Sequence, residues 1–228
     1  NRDYNQQELR ILAHYESGIL LDAYRADQWL DMHAFTQQMV VDILGVHVDR
    51  KPIKNLNFGL IYGMGLGKLA KSMGVDVDFA KQIKKAHRQG FPGISDLMKD
   101  MKQRAEMNTP IHTWGGREYY CEEPKEIDGR LVKFDYKLVN TLIQGSAADN
   151  TKQAMVNYAR KKKAEGLEGS LLINVHDELV ADAPRGRRVP EMRALRDAMQ
   201  DVQFDVPMLS TGGFGPRWTE INKLPQGE

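Results

Sequence analysis

The sequence predicts an α+β protein, helical in its first half and stranded late. Three observations carry this. Residues 1–108 hold few chain breakers and repeat their apolar positions at helical spacing. The clearest strand signal, SLLINVHDELVADAP, begins only at Ser170. No internal repeat or low-complexity stretch suggests a solenoid or a linker, and the order of elements does not alternate as a doubly wound sheet requires.

Taken in order, QQELRILAHYE places Leu9, Leu12 and Ala13 on one helical face, and MHAFTQQMVVDIL places Phe35, Met39 and Ile43 on another. Residues 50–63 form a helix that tolerates Pro52 in its first turn and stops at Gly63. Short helices are expected over about 65–73 and 78–90, and one more follows the Phe-Pro-Gly turn at 91–93. Residues 109–123, with threonine, tyrosine and a Gly-Gly pair, read as a hairpin or extended loop. A long helix is expected over about 131–162, ending in ARKKKAEG. The two apolar runs of SLLINVHDELVADAP flank His176-Asp177, which makes a hairpin with an acidic tip. A helix near 189–203 and a strand near 206–214 complete the reading.

The 228 residues suffice for one large domain or two interleaved subdomains with a real core. Hydrophobic content of 41% and charged content of 28% are those of a globular protein, and a net charge of +1 favours no partner class. Cys121 is the single cysteine, which excludes a disulfide framework and a thiolate zinc site within one chain. No run approaches a membrane span, and NRDYNQQELR is too polar for a signal peptide, so a reducing cytoplasm is the expected location. The first residues read as the middle of an element, as in a piece of something longer.

One stretch asks for more than packing. Within DRKPIKNLNFGLIYG, Arg50, Lys54, Phe58 and Tyr62 stand four apart, and on a helix such positions drift only about 40°. They share a stripe, while Ile53, Leu56 and Leu60 form a core face roughly opposite. The cations lie in the first turns, where free N–H groups and the helix dipole favour an anion. Phosphates at one end and a planar ring at the other describe a nucleotide. On this helix alone, a solvated basic turn with two core aromatics is an equal reading.

Two acidic stretches break the tie. DYNQQELR puts Asp3 just before a helix carrying Glu8 and Arg10, and VHDE puts Asp177 and Glu178 at the hairpin tip. Singly, each is an ordinary turn aspartate. Brought together, two aspartates make an oxygen-rich site suited to Mg²⁺, which takes one or two carboxylates plus waters and substrate phosphates. Two such ions about 4 Å apart clamp the attacking and leaving oxygens of an in-line phosphoryl transfer.

In that order, DYNQQELR, RKPIKNLNFGLIYG and VHDE resemble motifs A, B and C of the family A DNA polymerases, the group of bacterial polymerase I and several phage replicative enzymes. DMH at 31–33, FPG at 91–93, WGGREYY at 114–120 and LIQGSAAD at 142–149 extend the likeness over nearly the whole chain. The resemblance implies a right-hand polymerase fold, with helical fingers inserted in a palm built on a small antiparallel sheet. It makes residues 1–16 the palm start, 17–110 the fingers and 111–228 the remaining palm, with a primer–template helix at about 131–162 and the motif C hairpin at 171–183. Thumb, first palm strands and any exonuclease are expected upstream.

The resemblance also implies roles. Asp3 and Asp177 match the catalytic aspartates that hold two Mg²⁺ ions, with the Tyr4 carbonyl as a further contact. Arg50 and Lys54 match the pair that grips the incoming dNTP, Lys54 being also the candidate proton donor to pyrophosphate. His33 matches a histidine beside the phosphates, Phe58 lies under the sugar and base, and Tyr62 sits at the templating position. Glu8 matches the residue that excludes a 2′-hydroxyl, held by the Tyr62 hydroxyl, and Gln6 keeps a motif A glutamine. Asn140, Gln144 and His176 match residues that reach primer–template DNA in the minor groove, where the acceptors report pairing shape more than sequence. Arg117 and Arg10 are assigned to DNA backbone or structural carboxylates, and Glu178 has at most a minor part.

Where the family usually has DYSQIELR, this chain has Asn5 and Gln7. The spacer from Gly45 to Arg50 is short, as in some phage members, which extends the expected location to a phage-infected host. Pro52 places Arg50 at the helix start, and only two residues precede Asp3 to form its strand. The expected function is template-directed DNA synthesis from dNTPs on a primer. The alternative is a DNA- or nucleotide-binding fragment that is inactive without its upstream thumb. His14, His47, His87 and His112 are read as structural or solvated.

Overall fold

A computed structural model describes residues 1–225 and 227, with Leu60 and Ile61 described by their backbone alone. In chain order the elements are β1 (Arg2–Tyr4), α1 (Gln7–Glu16), α2 (Ile19–Ala26), α3 (Met32–Leu44), α4 (Arg50–Ile61), α5 (Leu66–Met73), α6 (Val77–Gly90) and α7 (Pro92–Glu106). There follow β2 (Ile111–His112), β3 (Glu118–Tyr119), β4 (Lys125–Ile127), β5 (Arg130–Val132), α8 (Tyr136–Glu165), β6 (Leu171–Val175), β7 (Glu178–Ala181), α9 (Arg188–Gln200), β8 (Ser210–Phe214) and β9 (Asn222–Lys223). The mixture is the expected α+β. Two compact units divide the chain, one of residues 1–14 and 146–228, the other of residues 15–145.

The first unit is built on an antiparallel sheet in the order β6-β7-β1-β8-β9. Its central strand is the short β1. Three residues suffice there because they pair on both sides, Arg2 opposite Leu179 and Gly212, Asp3 opposite Glu178 and Thr211. Alternation along a strand then turns Tyr4 away from the face of Asp3. The Tyr4 ring is buried, and its hydroxyl donates to the Met199 carbonyl at 2.7 Å, joining the sheet to α9. Arg2 is fully buried, donating to the Ser210 hydroxyl and carbonyl at 2.8 and 2.9 Å, and burial pushes its guanidinium down to about 10. Leu9, Leu12 and Ala13 form the buried face expected of α1. Buried Glu191 of α9 accepts from the Tyr158 hydroxyl at 2.9 Å and from the amides of Glu168 and Gly169 at 2.9 and 2.7 Å, so α8 and the turn into β6 are satisfied by one carboxylate.

The second unit is mainly helical. Its core gathers Val40, Val48, Ile53, Leu56, Leu69, Met73, Ile83 and Ala86. Ile53 and Leu56 are thus the inner face of α4 as expected, and the Leu60 side chain lies outside the described residues. The buried row of α3 is Met32, His33, Thr36 and Val40 rather than Phe35, Met39 and Ile43. Being wedged between α4 and α6, this helix buries two faces. The expected row lies on the α6 side, where Phe35 approaches Phe91 with ring centroids 6.3 Å apart.

Two boundaries differ from the sequence reading. The long helix begins at Tyr136, because Asp128-Gly129 turns β4 back onto β5 with both residues at positive φ (51° and 70°), the conformation a two-residue hairpin demands. Residues 111–145 fall in the helical unit, and among the described residues β2 pairs with β3 and β4 with β5 in two separate hairpins. The last expected strand also starts later, at Ser210. No helix among the described residues is long and apolar enough to cross a membrane.

Candidate active site

In the sheet unit, pairing brings the two acidic motifs together. Asp3 stands opposite Glu178 in the ladder, and the Tyr4 amide donates to the Asp177 carbonyl at 3.2 Å. Burial raises the Asp3 carboxyl above its ordinary value, and neighbouring Asp177 raises it further. Asp177 is raised too, first by burial, with Glu178 adding to it. Thr211 donates to Asp3 Oδ1 at 3.4 Å and to Asn5 Oδ1 at 3.0 Å. Glu178 is otherwise engaged, accepting from Asn1 Nδ2 at 2.5 Å and from Trp218 Nε1 at 2.9 Å.

The turn that presents Asp177 is under strain. His176 has φ 54°, a region costly for a residue with a side chain. Asn174 braces it, its Nδ2 donating to the His176 and Glu178 carbonyls at 3.0 and 3.1 Å. Gln6, just before α1, also has positive φ (52°), and half-buried Glu8 falls in the first turn of α1.

Both motif A departures are absorbed locally. Gln7 is buried, donating to the Thr151 hydroxyl and the Ala147 carbonyl of α8 at 3.1 and 3.3 Å. The Asn5 side chain accepts from the Thr211 hydroxyl through Oδ1 at 3.0 Å, while its backbone amide donates to the Leu209 carbonyl at 2.8 Å and its backbone carbonyl accepts from Arg10 Nε at 2.8 Å. Arg10 is buried and also donates to the Pro207 carbonyl at 2.7 Å.

Among the described residues no three His, Cys, Asp or Glu side chains converge to hold a metal ion unaided. The donors that pairing brings together here are oxygen only, the carboxylates of Asp3 and Asp177. Such a pair fits Mg²⁺, for which waters and substrate phosphates complete the shell.

In the helical unit, α4 starts at Arg50, as Pro52 requires. Arg50 is held by Asp31, with Nη2 and Nε at 2.6 and 3.1 Å from Oδ2, while Asp31 Oδ1 caps α3 through the amides of His33 and Ala34 at 3.0 and 3.3 Å. Burial acts to raise the Asp31 carboxyl, but Arg50 and the two amides together hold it below its ordinary value. Lys54 is exposed and makes no ion pair among the described residues. Phe58 and Tyr62 stack, their rings 6.2 Å apart at 14°, and the His33 ring lies 5.5 Å from that of Phe58, tilted at 53°. The stripe that begins at Arg50 thus carries two cations and two rings, with the His33 ring of α3 beside Phe58.

His33 is buried, and its pKa is lowered, first by burial and then by Arg50 and Lys54 against the pull of Asp31. Its tautomer follows from its neighbours. The Thr36 hydroxyl donates to the Met32 carbonyl at 2.8 Å, so buried Asn57 must donate to Thr36 Oγ1 (3.2 Å), and the same amide nitrogen faces His33 Nδ1 at 3.1 Å. Nδ1 therefore accepts, and the ring proton sits on Nε2. The sequence reading missed Asn57, Asp31 and Asn174. A polar residue on the otherwise apolar inner face of α4 was the signal for Asn57.

The residues expected to meet DNA are spread over both units. Asn140 and Gln144 share a face of α8, Asn140 half-buried with Oδ1 lacking a partner and Gln144 exposed. Exposed His176 belongs to the sheet unit. Arg117 donates to the Gly145 carbonyl at 2.8 Å and the Tyr119 hydroxyl at 2.7 Å. Gly145 leaves room for Thr113, since a Cβ there would meet Thr113 Cγ2 at 2.6 Å.

Residues 1–220 match DNA polymerase family A, so the chain belongs to that family. Among curated relatives it is 36% identical to DNA polymerase I of Chloroflexus aurantiacus, the match covering 99% of this chain and 24% of that protein. It is 33% identical to DNA polymerase I of Bacillus caldotenax, over 95% of this chain and 25% of that protein. The chain thus spans about a quarter of the length of these relatives. A solved structure, the POL domain of Pol1 from M. smegmatis in complex with DNA primer-template and dNTP, superposes with a TM-score of 0.83 at 28% identity, covering 95% of this chain and 39% of that one. The fold is the right-hand polymerase fold.

Proposed function

We propose that this chain supplies the catalytic carboxylates and the nucleotide-binding helix of a DNA-directed DNA polymerase. The observation that carries the reading is the pairing of Asp3 with the Asp177 turn at one end of the sheet, two carboxylates raised by burial and by like charge. Such a pair is costly for folding alone and is matched to a polyvalent cation. When bound, two Mg²⁺ ions would stabilise the attacking and leaving oxygens of the transfer.

The remaining steps belong to the protein. Asp3, Asp177 and the Tyr4 carbonyl provide oxygens; Arg50 and Lys54 take the triphosphate; the Nε2 proton of His33 is available to a phosphate oxygen. The primer 3′-hydroxyl loses its proton to water and its oxygen forms a bond to the α-phosphorus as the bond to pyrophosphate breaks, with Lys54 donating a proton to the leaving group. Asp31 positions Arg50. Phe58 lies under the sugar, Tyr62 marks the templating position, and Glu8, with Gln6 before it, excludes a 2′-hydroxyl. Asn140, Gln144, His176 and Arg117 serve the primer–template. Residues 1–16 and 111–228 act as palm and 17–110 as fingers, and the place of action is the cytoplasm of a bacterial or phage-infected cell.

Primer extension with Mg²⁺ tests this, using the chain alone and joined to the region its relatives carry outside the matched stretch. Extension by the joined form, lost in Asp177→Asn, is expected. Turnover that survives Asp177→Asn would remove the carboxylates from the mechanism. DNA binding without extension in either form favours the second reading, a non-catalytic DNA- or nucleotide-binding fragment.

A further inference from the structure

Gln6, at φ 52°, is the strained residue of the corner that joins β1 to α1, and buried polar groups of the sheet unit hold the chain on both sides of it. Before it stands Tyr4, whose hydroxyl gives its one proton to the Met199 carbonyl at 2.7 Å. The side-chain amide of Asn150, in α8, lies 3.4 Å from the same hydroxyl, with its oxygen turned to it and its nitrogen buried without a partner. Two acceptors do not bond. The amide is better satisfied when exchanged end for end, its nitrogen then donating to the tyrosine oxygen. In this way α8, β1 and α9 meet in one chain of hydrogen bonds.

After Gln6 stands Gln7. Its buried Nε2 faces two acceptors one turn apart on α8, the Thr151 hydroxyl at 3.1 Å and the Ala147 carbonyl at 3.3 Å. Thr151 is buried too, and its proton goes to that same carbonyl at 3.0 Å, so its oxygen accepts from Gln7. Each proton of the Gln7 amide thus has an acceptor, and reversing the amide would set oxygen against oxygen. A buried amide is costly unless such demands are met. The isoleucine usual in motif A would fill the space and ask nothing directional of α8. Gln7 asks for a hydroxyl at a set distance and angle, so bond geometry as well as packing locates the first turn of α1. Glu8 belongs to that turn.

We propose that Thr151 is a positioning residue for sugar selection: through Gln7 it fixes the first turn of α1, and so how closely Glu8 stands against a 2′-hydroxyl. This role rests on the reading of Glu8 as the residue that excludes ribose.

The test is single-nucleotide insertion by the polymerase that carries this chain, with kcat/KM measured for a ribonucleotide and its deoxy counterpart. Thr151→Val keeps the shape of the side chain but leaves the Gln7 amide short of an acceptor. It should raise the ribonucleotide kcat/KM about three- to tenfold, the span of one buried hydrogen bond, with the deoxynucleotide value held within about twofold. Gln7→Met keeps the length and loses the amide, and should relax the ratio in the same way. Thr151→Ser retains the hydroxyl, so its ratio should stay at the unaltered value whatever its melting temperature. Thr151→Val combined with Gln7→Ile matches two apolar groups and should restore most of the discrimination. A merely structural contact would instead lower both kcat/KM values together. That result overturns the inference, as does an unchanged ratio in whichever of Thr151→Val and Gln7→Met folds. Relaxation in Thr151→Ser, or a double variant more relaxed than Thr151→Val, overturns it too. Glu8→Ala is the reference. Where it relaxes the ratio and Thr151→Val does not, the role of Glu8 stands and the inference alone falls; where Glu8→Ala changes nothing, both fall.

Discussion

The two units handle charge in opposite ways. In the sheet unit, Asp3 of β1 stands beside the turn that carries Asp177, whose His176 has positive φ, and both carboxyls are raised. In the helical unit, Arg50 lies in a near-ideal contact with Asp31, and buried His33 is kept neutral. The first arrangement stores unfavourable energy that a cation would release; the second is satisfied before any ligand arrives. The two ends of one proposed reaction should therefore respond oppositely to mutation.

The largest expected difference is between Asp177→Asn and Arg50→Ala. Asparagine keeps the size of Asp177 but removes its charge, so nucleotide incorporation should fall by orders of magnitude, while DNA affinity, carried mainly by Lys and Arg, changes little. Its melting temperature should hold or rise. The sign follows from linkage: a carboxylate whose folded pKa is raised costs stability above that pKa and ceases to cost it below the unfolded value, so at neutral pH its removal relieves the cost. Arg50→Ala should lower kcat/KM for dNTP about tenfold to a hundredfold, as the loss of a charge-assisted hydrogen bond implies. It should also cost slight stability, at most about 1 kcal/mol for so exposed a pair. A melting temperature that drops sharply in Asp177→Asn would erase the contrast.

Next in size is sugar selection. Glu8→Ala should admit ribonucleotides far more readily, at some cost in overall rate, measured as the ratio of kcat/KM values for a ribonucleotide and its deoxy counterpart. An unchanged ratio removes Glu8 from the role. On the helix, Phe58→Tyr would offer a hydroxyl to a sugar lacking its own 3′-oxygen. A hydrogen bond of this kind is worth about 0.5–1.5 kcal/mol and more where its loss strands a buried group, so dideoxynucleotide use should rise about tenfold with normal dNTP use unchanged. Equal discrimination by both forms would mean that the stripe does not face the sugar.

The smallest effect separates the units by pH. His87 is fully buried against Phe91, with ring centroids 4.8 Å apart, and burial pushes it down to about 3. The unfolded chain binds a proton near pH 6.5 that the folded helical unit refuses, so stability falls as pH drops below 6.5, by about 2 kcal/mol at pH 5. The raised carboxyls of the sheet unit contribute in the opposite direction. Denaturant melts of the chain and of His87→Leu at pH 7 and 5 should show the acid loss only where the histidine is present.

Much of this was legible in the sequence because it depends on local spacing. Helix periodicity placed α4 and its inner face, and the apolar runs about His176-Asp177 gave the hairpin. Asp128-Gly129 was equally legible as a two-residue turn, but the helical pattern beyond it was extended backward over β5. The row of α3 was misjudged for a different reason: a helix packed on two sides has no single apolar face. The supporting side chains were hardest to see. Asn57, Asp31 and Asn174 act through partners 24, 19 and 2 residues away, and only folding brings the first two pairs together.

The central claim, that Asp3 and Asp177 work as one unit, is tested most directly by a double-mutant cycle. Single-nucleotide incorporation with Mg²⁺ would be measured for the polymerase carrying this chain, for Asp3→Asn, for Asp177→Asn and for both together. Residues that serve one shared centre are strongly non-additive. The account predicts that either single change removes most of the rate and that the double variant is no slower than the slower single one. Losses that multiply as those of independent sites do, or a single variant with unaltered rate, would contradict it.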